Sequence, residues 1–501
     1  MRVDARLDDD RRFLRIDADR QQHAGEFQNL RAELLWLLIE RDGVQVNDAE
    51  NALVIVLDLD PILERAQIVA DMRTAGGLDA GEDSCFHEEG YLLIVNRTGT
   101  ANQPDAANEA EAVEIEKLVY GGAGLARRDG QVLLAPYVLP GELVKLEPVK
   151  RGPEARVVER LTDSPERIAA PCPYFGQCGG CQYQHAQYAA QLQWKVGILK
   201  EQFARVGKFA FPGEIQVVSG PEYGYRNRSQ FQMVEGRIGY FEEGSHHLVP
   251  VKDCAITSPT IIDALKKLRN IFPVFIKRFE FFTNGTEVQL NVLDTEKPIA
   301  KRFFEACAEI VPGILSPALD YTVGDDVFRV AHGSFFQVNR FLIDKMLEVS
   351  LAGVKGGELA FDLYCGVGLF TLPLARKFER VTGVELGTSA TRDLETNLER
   401  AKVKNVKGIK NLAESWLAGV TETPDFVLAD PPRAGLGKQA VAELVRLKAR
   451  ELVLVSCDPA TLARDLAGLK AGGFDVHEVT LIDLFPQTYH LETIVRLRHA
   501  G

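Results

Sequence analysis

The feature that most constrains the fold is an apolar run in the C-terminal third that ends in residues suited to holding a ligand. Residues 358–363 lead into Tyr364, Gly366 and Gly368, and a second apolar run ends in Glu385. A buried strand followed by a glycine turn and a helical pattern is typical of doubly wound α/β folds. In such folds ligands bind at the carboxyl ends of the strands, so these residues are candidates for cofactor binding.

Three further strand candidates, separated by helical patterns, follow at residues 425–429, 451–456 and 493–497. The sequence therefore predicts α/β architecture with a doubly wound sheet. The full dinucleotide fingerprint is absent, because Thr371 occupies the position of its third glycine. An acid at the end of the second strand suits ribose hydroxyls, and together these points favour S-adenosylmethionine over NAD.

The strand candidate at residues 451–456 runs directly into Cys457, and Asp458 and Pro459 suit the N-cap and the first position of a helix. Cys457 is thus predicted to lie in the positive field of a helix N-terminus, which favours the nucleophilic thiolate. A lone cysteine is more often structural, so a role as nucleophile depends on motifs elsewhere in the chain.

Three cysteines lie within ten residues, at Cys172, Cys178 and Cys181, with glycines between them. This spacing is a strong metal signal, with the plant-type ferredoxin motif as its nearest relative. The site needs a fourth soft ligand, for which Cys254 is the best candidate. Zinc is the main alternative, but an iron–sulfur cluster is favoured because zinc sites more often use paired two-residue spacings.

Between the N-terminal segment and the cysteines, short alternating runs separated by glycine and proline turns predict a small β-barrel. Basic side chains are interleaved with these runs. Small barrels of this kind commonly bind oligonucleotides, although a solvated face is the plainer interpretation. Further along, residues 225–228 (Tyr-Arg-Asn-Arg) form a basic and aromatic cluster that suits phosphate and base contacts or else an ordinary surface loop.

The net charge of −13 is unevenly distributed, which matters for any nucleic-acid partner. Residues 1–112 contain 24 Asp and Glu, 11 Arg and no Lys, and this imbalance accounts for the whole net charge. Residues 113–501 carry 47 basic and 47 acidic side chains, so local basic patches can form there. The overall acidity therefore does not argue against an RNA partner.

At 501 residues the chain predicts several domains. We divide it into an N-terminal extension that is poorly ordered or a small accessory domain, a barrel, a central region with the cysteines, and the α/β domain (1–112, 113–165, 166–334 and 335–501). No apolar run approaches the roughly 20 residues that span a bilayer, and the start lacks the pattern of a signal peptide. We expect a cytoplasmic monomer without a membrane partner.

The barrel and six motifs, in one order along residues 114–501, resemble the RNA uracil-C5 methyltransferases, and specifically the iron–sulfur branch that modifies 23S ribosomal RNA. The barrel is similar to a TRAM domain, and the first motif is the cysteine motif with Cys254. Five shorter motifs carry the rest of the resemblance, at residues 335–339, 362–368, 430–436, 456–459 and 490–493. Residues 1–112 have no counterpart in this resemblance.

The resemblance implies a class I methyltransferase domain, S-adenosylmethionine as methyl donor and a [4Fe-4S] cluster held by the four cysteines. It also implies that Cys457 is the nucleophile and Glu492 the base. Gln337, Tyr364, Glu385 and Asp430 match positions that line the cofactor and uracil pocket, next to the glycine turn of Gly366 and Gly368.

These residue types suit the chemistry. Uracil C5 is a poor nucleophile until a thiolate adds to C6, and a base must remove the C5 proton before the thiolate can leave. The target base must also leave its stack, and Phe335 and Tyr364 are candidates for stacking against it, or else core residues.

Ribosomal RNA is favoured over transfer RNA as the substrate, because the four-cysteine site is typical of that branch. Two other classes of function are weighed against it. A radical-SAM methylthiotransferase also joins a cluster to a TRAM barrel, but its cysteine spacing differs and it would leave Cys457 and Glu492 unused. A non-enzymatic iron–sulfur RNA-binding module would leave the glycine turn unexplained.

Overall fold

The computed structural model describes residues 14–17, 52–58, 84–86, 91–97, 112–149 and 152–500. The chain divides into two compact units, residues 1–108 and residues 109–501. The described part of the first unit is a sheet with strand order β1-β2-β4-β3. Its strands are β1 (Leu14–Asp17), β2 (Ala52–Asp58), β3 (Ser84–Phe86) and β4 (Tyr91–Arg97). The prediction that residues 1–112 are poorly ordered falls mostly on residues outside the described ones and stays a prediction.

The second unit begins with six short strands that form two three-stranded sheets, β10-β9-β5 and β6-β7-β8. These strands are β5 (Ala112–Glu114), β6 (Lys117–Leu118), β7 (Gly124–Arg128), β8 (Gln131–Ala135), β9 (Leu143–Pro148) and β10 (Ala155–Arg160). The two sheets share one apolar core, to which Val113, Leu133 and Val144 contribute. β8, β9 and β10 lie where alternating runs were predicted, and β5 and β6 lie at the first predicted run, whereas β7 was not predicted. The assignment to a TRAM barrel stays a prediction.

The central region combines helices with antiparallel sheets. Five strands form a sheet of order β14-β13-β12-β15-β16, and β17 and β18 form a hairpin. The elements are α1 (Tyr188–Arg205), β11 (Gln216–Val218), β12 (Arg228–Val234), β13 (Arg237–Phe241), β14 (Leu248–Pro250), α2 (Pro259–Leu268), β15 (Ile276–Thr283), β16 (Val288–Thr295), α3 (Lys301–Ile310), β17 (Ala318–Val323) and β18 (Asp326–Ala331).

The C-terminal region alternates helices and strands. Its elements are α4 (Ile343–Leu351), β19 (Gly357–Leu363), α5 (Thr371–Ala375), β20 (Phe378–Glu385), α6 (Thr388–Arg400), β21 (Val406–Lys410), α7 (Ala413–Leu417), β22 (Phe426–Ala429), α8 (Gly437–Leu447), β23 (Glu451–Ser456), α9 (Pro459–Ala471), β24 (Phe474–Ile482) and β25 (Thr493–His499). They build one eight-stranded sheet of order β11-β24-β25-β23-β22-β19-β20-β21. Strands β19 to β23 are mutually parallel, and β25 lies antiparallel to both of its neighbours.

Consecutive residues of the sheet belong to different apolar cores, as the two-residue period of a strand requires. In β23, Leu452 and Leu454 pack in one core, whereas Val453 packs in the other. The sheet is therefore covered on both faces, and the doubly wound α/β prediction is confirmed.

One strand of this sheet comes from outside the predicted α/β domain of residues 335–501. The edge strand β11 pairs in parallel with β24, so Val218 lies beside Ile482 although it belongs to the predicted central region of residues 166–334. Helix α1 packs against α9 through apolar residues of the same core, including Phe203 and Leu466. The central region and the α/β region thus share a sheet and a core. The sequence did not reveal this, because a pairing between distant segments leaves no signal in the local pattern.

Candidate active site

The nucleophile and base candidates meet at one edge of the sheet. Ser456 at the end of β23 pairs with Thr493 at the start of the antiparallel β25. Cys457 follows Ser456 and Glu492 precedes Thr493, so the two candidates stand at the same end of the strand pair. Glu492 is 4% exposed, and its charge raises the pKa of Cys457, so the two side chains interact.

The helix start at Cys457 is built as the sequence predicts. Asp458 caps α9 by accepting hydrogen bonds from the backbone N–H groups of Ala460 (3.0 Å) and Thr461 (2.8 Å), and Pro459 occupies the first turn. The hydroxyl of Tyr120, from the loop after β6, also bonds to Asp458. Tyr120 belongs to residues 113–165, the small β region, which therefore contacts the cap of the helix that follows Cys457.

The helix N-terminus at Cys457 does not leave the thiol with a low pKa in this structure. Burial, followed by the charges of Glu492 and Asp430, raises the pKa of Cys457 to about 12, while Arg433 acts in the opposite direction. The sequence shows the helix N-terminus, but not the carboxyls that β22 and β25 bring next to the thiol. Desolvation and two like charges outweigh the helix field.

Asp430 and Gln337 complete this edge of the site. Asp430 directly follows β22, the strand beside β23, and Gln337 Nε2 donates to Asp430 Oδ2 over 3.0 Å. Burial raises the pKa of Asp430, and burial and the charge of Asp430 raise the pKa of Glu492. Desolvation and mutual repulsion thus favour the protonated forms of both carboxyls, which suits them to acid–base chemistry.

The predicted cofactor residues lie at the ends of the adjacent strands. Glu385 Oε2 accepts from the backbone N–H of Gly366 (3.0 Å), and Glu385 Oε1 accepts from that of Gly387 (2.6 Å). Tyr364 directly follows β19 and has a φ of 61°, a left-handed conformation that is uncommon for a residue other than glycine. At Gly368 the φ is 97° and a Cβ atom would lie 2.7 Å from Leu394, so this turn requires glycine.

Asp362 is a further carboxyl of the site, on which the charges of both Asp430 and Glu385 act. It belongs to one of the motifs but has no predicted role. It is fully buried, and its Oδ2 accepts from Thr371 Oγ1 over 2.5 Å, while its Oδ1 has no partner. Burial raises the pKa of Asp362 to about 7, and the charges of Asp430 and Glu385 act in the same direction. The signal that could have found this carboxyl is its position inside an otherwise apolar strand.

Two further residues of the site belong to motifs that carry the resemblance but have no predicted role. Arg433 is the cation that lowers the pKa of both Cys457 and Glu492. His490 stacks near Tyr489, with 4.3 Å between ring centroids, and burial and Arg433 lower its pKa to about 4. Arg433 thus acts on both the thiol and the base, and on a neutral imidazole at His490.

The cluster of residues 225–228 is not a surface loop. Tyr225 and Asn227 are fully buried, and Asn227 Nδ2 donates to the carbonyl of Gln337 (2.9 Å) and to the hydroxyl of Tyr321 (3.1 Å). Asn227 therefore supports the residue that contacts Asp430. Of the candidates for base stacking, Phe335 is 61% exposed, as a stacking surface needs to be.

The four predicted metal ligands line one cavity of about 630 Å³, apart from the nucleophile: Cys172, Cys178, Cys181 and Cys254. Burial raises the pKa of Cys178 to about 11 and that of Cys181 to about 12, and the neighbouring thiols add to both shifts. Within the described residues, however, no group of three or more His, Cys, Asp or Glu side chains is arranged to hold a metal ion. The structure thus brings the four predicted ligands to one cavity, but within the described residues it shows no metal-binding arrangement of them.

With this geometry in place, comparisons with known proteins identify the family. The family model described as tRNA (Uracil-5-)-methyltransferase matches residues 318–500. An uncharacterized RNA methyltransferase of Aquifex aeolicus is 34% identical over 412 residues, which cover 76% of this chain and 97% of that protein. The 23S rRNA (uracil(1939)-C(5))-methyltransferase RlmD of Chromohalobacter salexigens is 32% identical over 438 residues, 80% of this chain and 91% of that protein.

The chain belongs to the RNA uracil-C5 methyltransferase family. It is therefore an enzyme that acts on RNA, and neither a radical-SAM methylthiotransferase nor a non-enzymatic binding module accords with this membership. The crystal structure of Pyrococcus abyssi tRNA (uracil-54, C5)-methyltransferase with S-adenosyl-L-homocysteine has a TM-score of 0.58 at 23% identity and covers 77% of this chain and 100% of that chain. This similarity shows the class I methyltransferase fold, and with the family it supports S-adenosylmethionine as methyl donor.

In the described part of the chain, no helix combines the length and the apolar character that crossing a membrane demands.

Proposed function

We propose that this methyltransferase modifies C5 of uracil in 23S ribosomal RNA through a covalent adduct between Cys457 and uracil C6. The observation that carries the proposal is the strand pairing of Ser456 with Thr493, which sets Cys457 beside Glu492. The reaction requires a thiol and a buried carboxyl, and both lie at one end of the β23–β25 strand pair.

The first step is addition of the Cys457 thiolate to C6, which leaves an enolate and places electron density on C5. The thiol proton passes to Asp430, which removes a charge that opposes the thiolate. Arg433 favours the thiolate, and Glu492 stays ionised for the second step. S-adenosylmethionine, when bound, supplies the electrophilic methyl group. C5 takes that methyl group and still carries its hydrogen.

In the second step Glu492 takes the C5 proton. The electron pair of the C5–H bond restores the C5–C6 double bond, the C6–S bond breaks, and Cys457 leaves as a thiolate. Because burial and Asp430 raise the pKa of Glu492, its carboxylate is a stronger base than one in water. Gln337 donates to Asp430 and holds this neighbouring carboxyl in place.

The residues at the neighbouring strand ends suit the methyl donor. The carboxylate of Glu385 is a partner for ribose hydroxyls, and Gly366 and Gly368 allow a ligand to approach the backbone closely. Tyr364 directly precedes this glycine turn. These residues would hold the donor at strand ends of the same sheet that carries Cys457.

We further propose that the four thiols hold a [4Fe-4S] cluster rather than zinc. Thiolates are the ligands that both prefer, but one zinc ion draws four sulfurs to about 2.3 Å from a single point. A cluster of four irons is larger and takes thiolates that stand further apart. The support for the cluster is that the four thiols line one cavity and that the cysteine spacing is nearest to a ferredoxin motif.

RNA contact is assigned to the small β region (113–165) and to the central region (166–334). Phe335 and Arg226 line the same cavity as the cysteines, and they provide a stacking surface and a cation there. A transfer-RNA substrate is the second candidate. It is favoured by the family description and by the named activity of the Pyrococcus abyssi structure.

The test is methyl transfer from labelled S-adenosylmethionine to transcripts of 23S ribosomal RNA and to transfer RNAs, followed by mapping of the labelled nucleotide. We expect 5-methyluridine in the ribosomal transcript. Label only in transfer RNA would reassign the substrate, and label at a base other than uracil would reject the mechanism.

A further inference from the structure

The loop of residues 483–491 connects β24 to β25 and ends directly before Glu492, and one strained residue lies at its centre. Gln487 is 1% exposed and has a φ of 69°. Of the eight residues other than glycine with positive φ in the described part of the chain, Gln487 alone is buried. Strained conformations persist where surrounding contacts determine them, and they cluster at functional sites.

Every polar group of Gln487 has a partner. Its carbonyl accepts from the backbone N–H groups of Gln182 and Tyr183, both over 3.0 Å. Its backbone N–H donates to Gln191 Oε1 (3.2 Å), and its Oε1 accepts from Gln191 Nε2 (3.0 Å). Its Nε2 donates to Glu222 Oε2 (3.0 Å). This complete set of bonds fixes both the backbone and the side chain of Gln487.

These partners connect the loop to the cysteine segment, which we define as residues 172–181. Gln182 directly follows Cys181, one of the four thiols that line the cavity. Gln191, in the first turn of α1, is fully buried and also donates to the carbonyls of Tyr183 (3.1 Å) and Ala186 (2.9 Å). A short bonded path thus runs from Cys181 through Gln182 to Gln487, five residues before the base.

The residues before Gln487 are anchored separately. Tyr225 donates its hydroxyl to the carbonyl of Pro486 (3.0 Å), and Lys195 Nζ donates to the carbonyl of Phe485 (3.0 Å) and to Asp483 Oδ1 (2.6 Å). The first half of the loop is therefore held without Gln487. The backbone of Glu492 is held by Ile482, whose N–H donates to its carbonyl (2.9 Å), so Gln487 fixes the stretch of the loop between these two anchors.

We propose that Gln487 is a positioning residue that couples the cysteine segment to the base. The proposal rests on the proposed function, because it requires Glu492 to remove the C5 proton from the Cys457 adduct. If the bonds to Gln487 are lost, Glu492 is held less firmly over C5 while Cys457, on another strand, is unaffected. Adduct formation then keeps its rate, and adduct resolution slows.

The experiment compares two identical changes on one helix in the full-length enzyme. Gln191→Leu removes both side-chain bonds to Gln487, whereas Gln193→Leu alters an exposed residue of α1. Formation and resolution of the methylated adduct are followed in a single turnover on denaturing gels, together with the Kd for RNA. We expect Gln191→Leu to resolve the adduct about ten- to a hundredfold more slowly, at unchanged formation rate and Kd, and Gln193→Leu to match wild type.

Gln487→Gly gives an independent test, because glycine accepts the positive φ but lacks the side chain. It should show the same delay. The link to the cysteines is tested by Cys181→Ala, which should also delay resolution, against Cys307→Ala in α3 as the matched control.

Wild-type resolution rates in Gln191→Leu and Gln487→Gly would overturn the positioning role. So would an equal fall in formation rate, resolution rate and RNA affinity, which marks a folding defect. Failure of the proposed function is distinguishable, because the wild-type enzyme would then form no adduct at all.

Discussion

Cys457 and the thiols of the cysteine segment have raised pKa values for different reasons. Cys457 lies at a strand end, where burial and the carboxyls of Glu492 and Asp430 oppose the thiolate. The thiols of the cysteine segment lie in loops around a cavity, where burial and the other thiols oppose ionisation. Cys457 interacts with acids that can take up protons, whereas the charges that raise the pKa of Cys178 and Cys181 come from other thiols.

The difference indicates what each group needs in order to work. Cys457 becomes a thiolate when Asp430 is protonated, and Arg433 favours its charge, so side chains of the protein itself stabilise the thiolate while Glu492 stays ionised as the base. The thiols of the cysteine segment need an external cation, because a metal is the charge that makes coordinating thiols ionise. Cys457 is therefore expected to be reactive, and the thiols of the cysteine segment are expected to be unreactive because they bind a metal.

The largest effect is expected from removal of the nucleophile. Cys457→Ala should reduce turnover by about a millionfold, the scale found for loss of a catalytic nucleophile. It should also abolish the adduct with 5-fluorouracil RNA while RNA binding persists. Cys307→Ala, in the core of the central region, is the control and should retain activity at a lower melting temperature. Methylation by Cys457→Ala at the wild-type rate would contradict the comparison.

Removal of the base comes next. Glu492→Gln should reduce turnover about a hundred- to ten-thousandfold, because the C5 proton then has no acceptor. The amide also removes a charge that opposes the Cys457 thiolate, so the adduct should form and accumulate as a species visible on a denaturing gel. Normal turnover without such a species would mean that another residue is the base.

Arg433→Gln tests the cation that sets Cys457 apart from the other thiols. Because Arg433 lowers the pKa of Cys457, its loss should raise that pKa. Adduct formation at neutral pH should then slow about tenfold for every pH unit by which the pKa of the thiol rises. The rate should increase with pH, and the profile should move to higher pH than in wild type. A measured profile that coincides with wild type would show that Arg433 does not act on the thiol.

The cysteine segment should respond to metal removal, and Cys457 should not. Protein purified without oxygen should be brown and contain iron and sulfide, and alkylation should reach Cys172, Cys178, Cys181 and Cys254 several-fold faster after chelation, because bound thiolates are shielded. Mass spectrometry of the alkylated peptides measures both groups at once. Stoichiometric zinc in place of iron and sulfide would refute the cluster.

The smallest effect is expected from deletion of residues 1–112, which carry the whole net negative charge. Screening confines their repulsion of RNA phosphates to about 10 Å at 0.1 M salt. A chain that starts at Val113 should fold, keep its metal and methylate RNA at least as well as the full chain. Activity and solubility assays decide this, and a loss of either would show that the segment is a required domain.

The sequence predicts those features of the site that depend on strand ends. Glu385, Asp430 and Cys457 each lie at the end of an apolar run, and parallel strands bring their carboxyl ends to one edge. The pKa of Cys457 could not be predicted in this way, because the carboxyls around it arrive from β22 and β25.

Other features depend on pairings between distant segments. Gln337 reaches Asp430 from a loop that lies 93 residues earlier in the chain, and Asn227 supports it from further away still. The edge strand β11 joins β24 in the same way. None of these contacts leaves a periodic signal in the local sequence, so sequence patterns alone could not supply them.

The position of β25 inside the sheet has a consequence for how the enzyme assembles. β24 reaches the rest of the sheet only through β25, and β11 reaches it only through β24. The pairing of β11 with β24 joins Gln216 to Thr480, and pairings of such long sequence separation form slowly in folding. A sheet that still lacks β11 already holds Cys457 beside Glu492, because β23 pairs directly with β25. The reacting pair can therefore assemble before the edge strand of the central region joins the sheet.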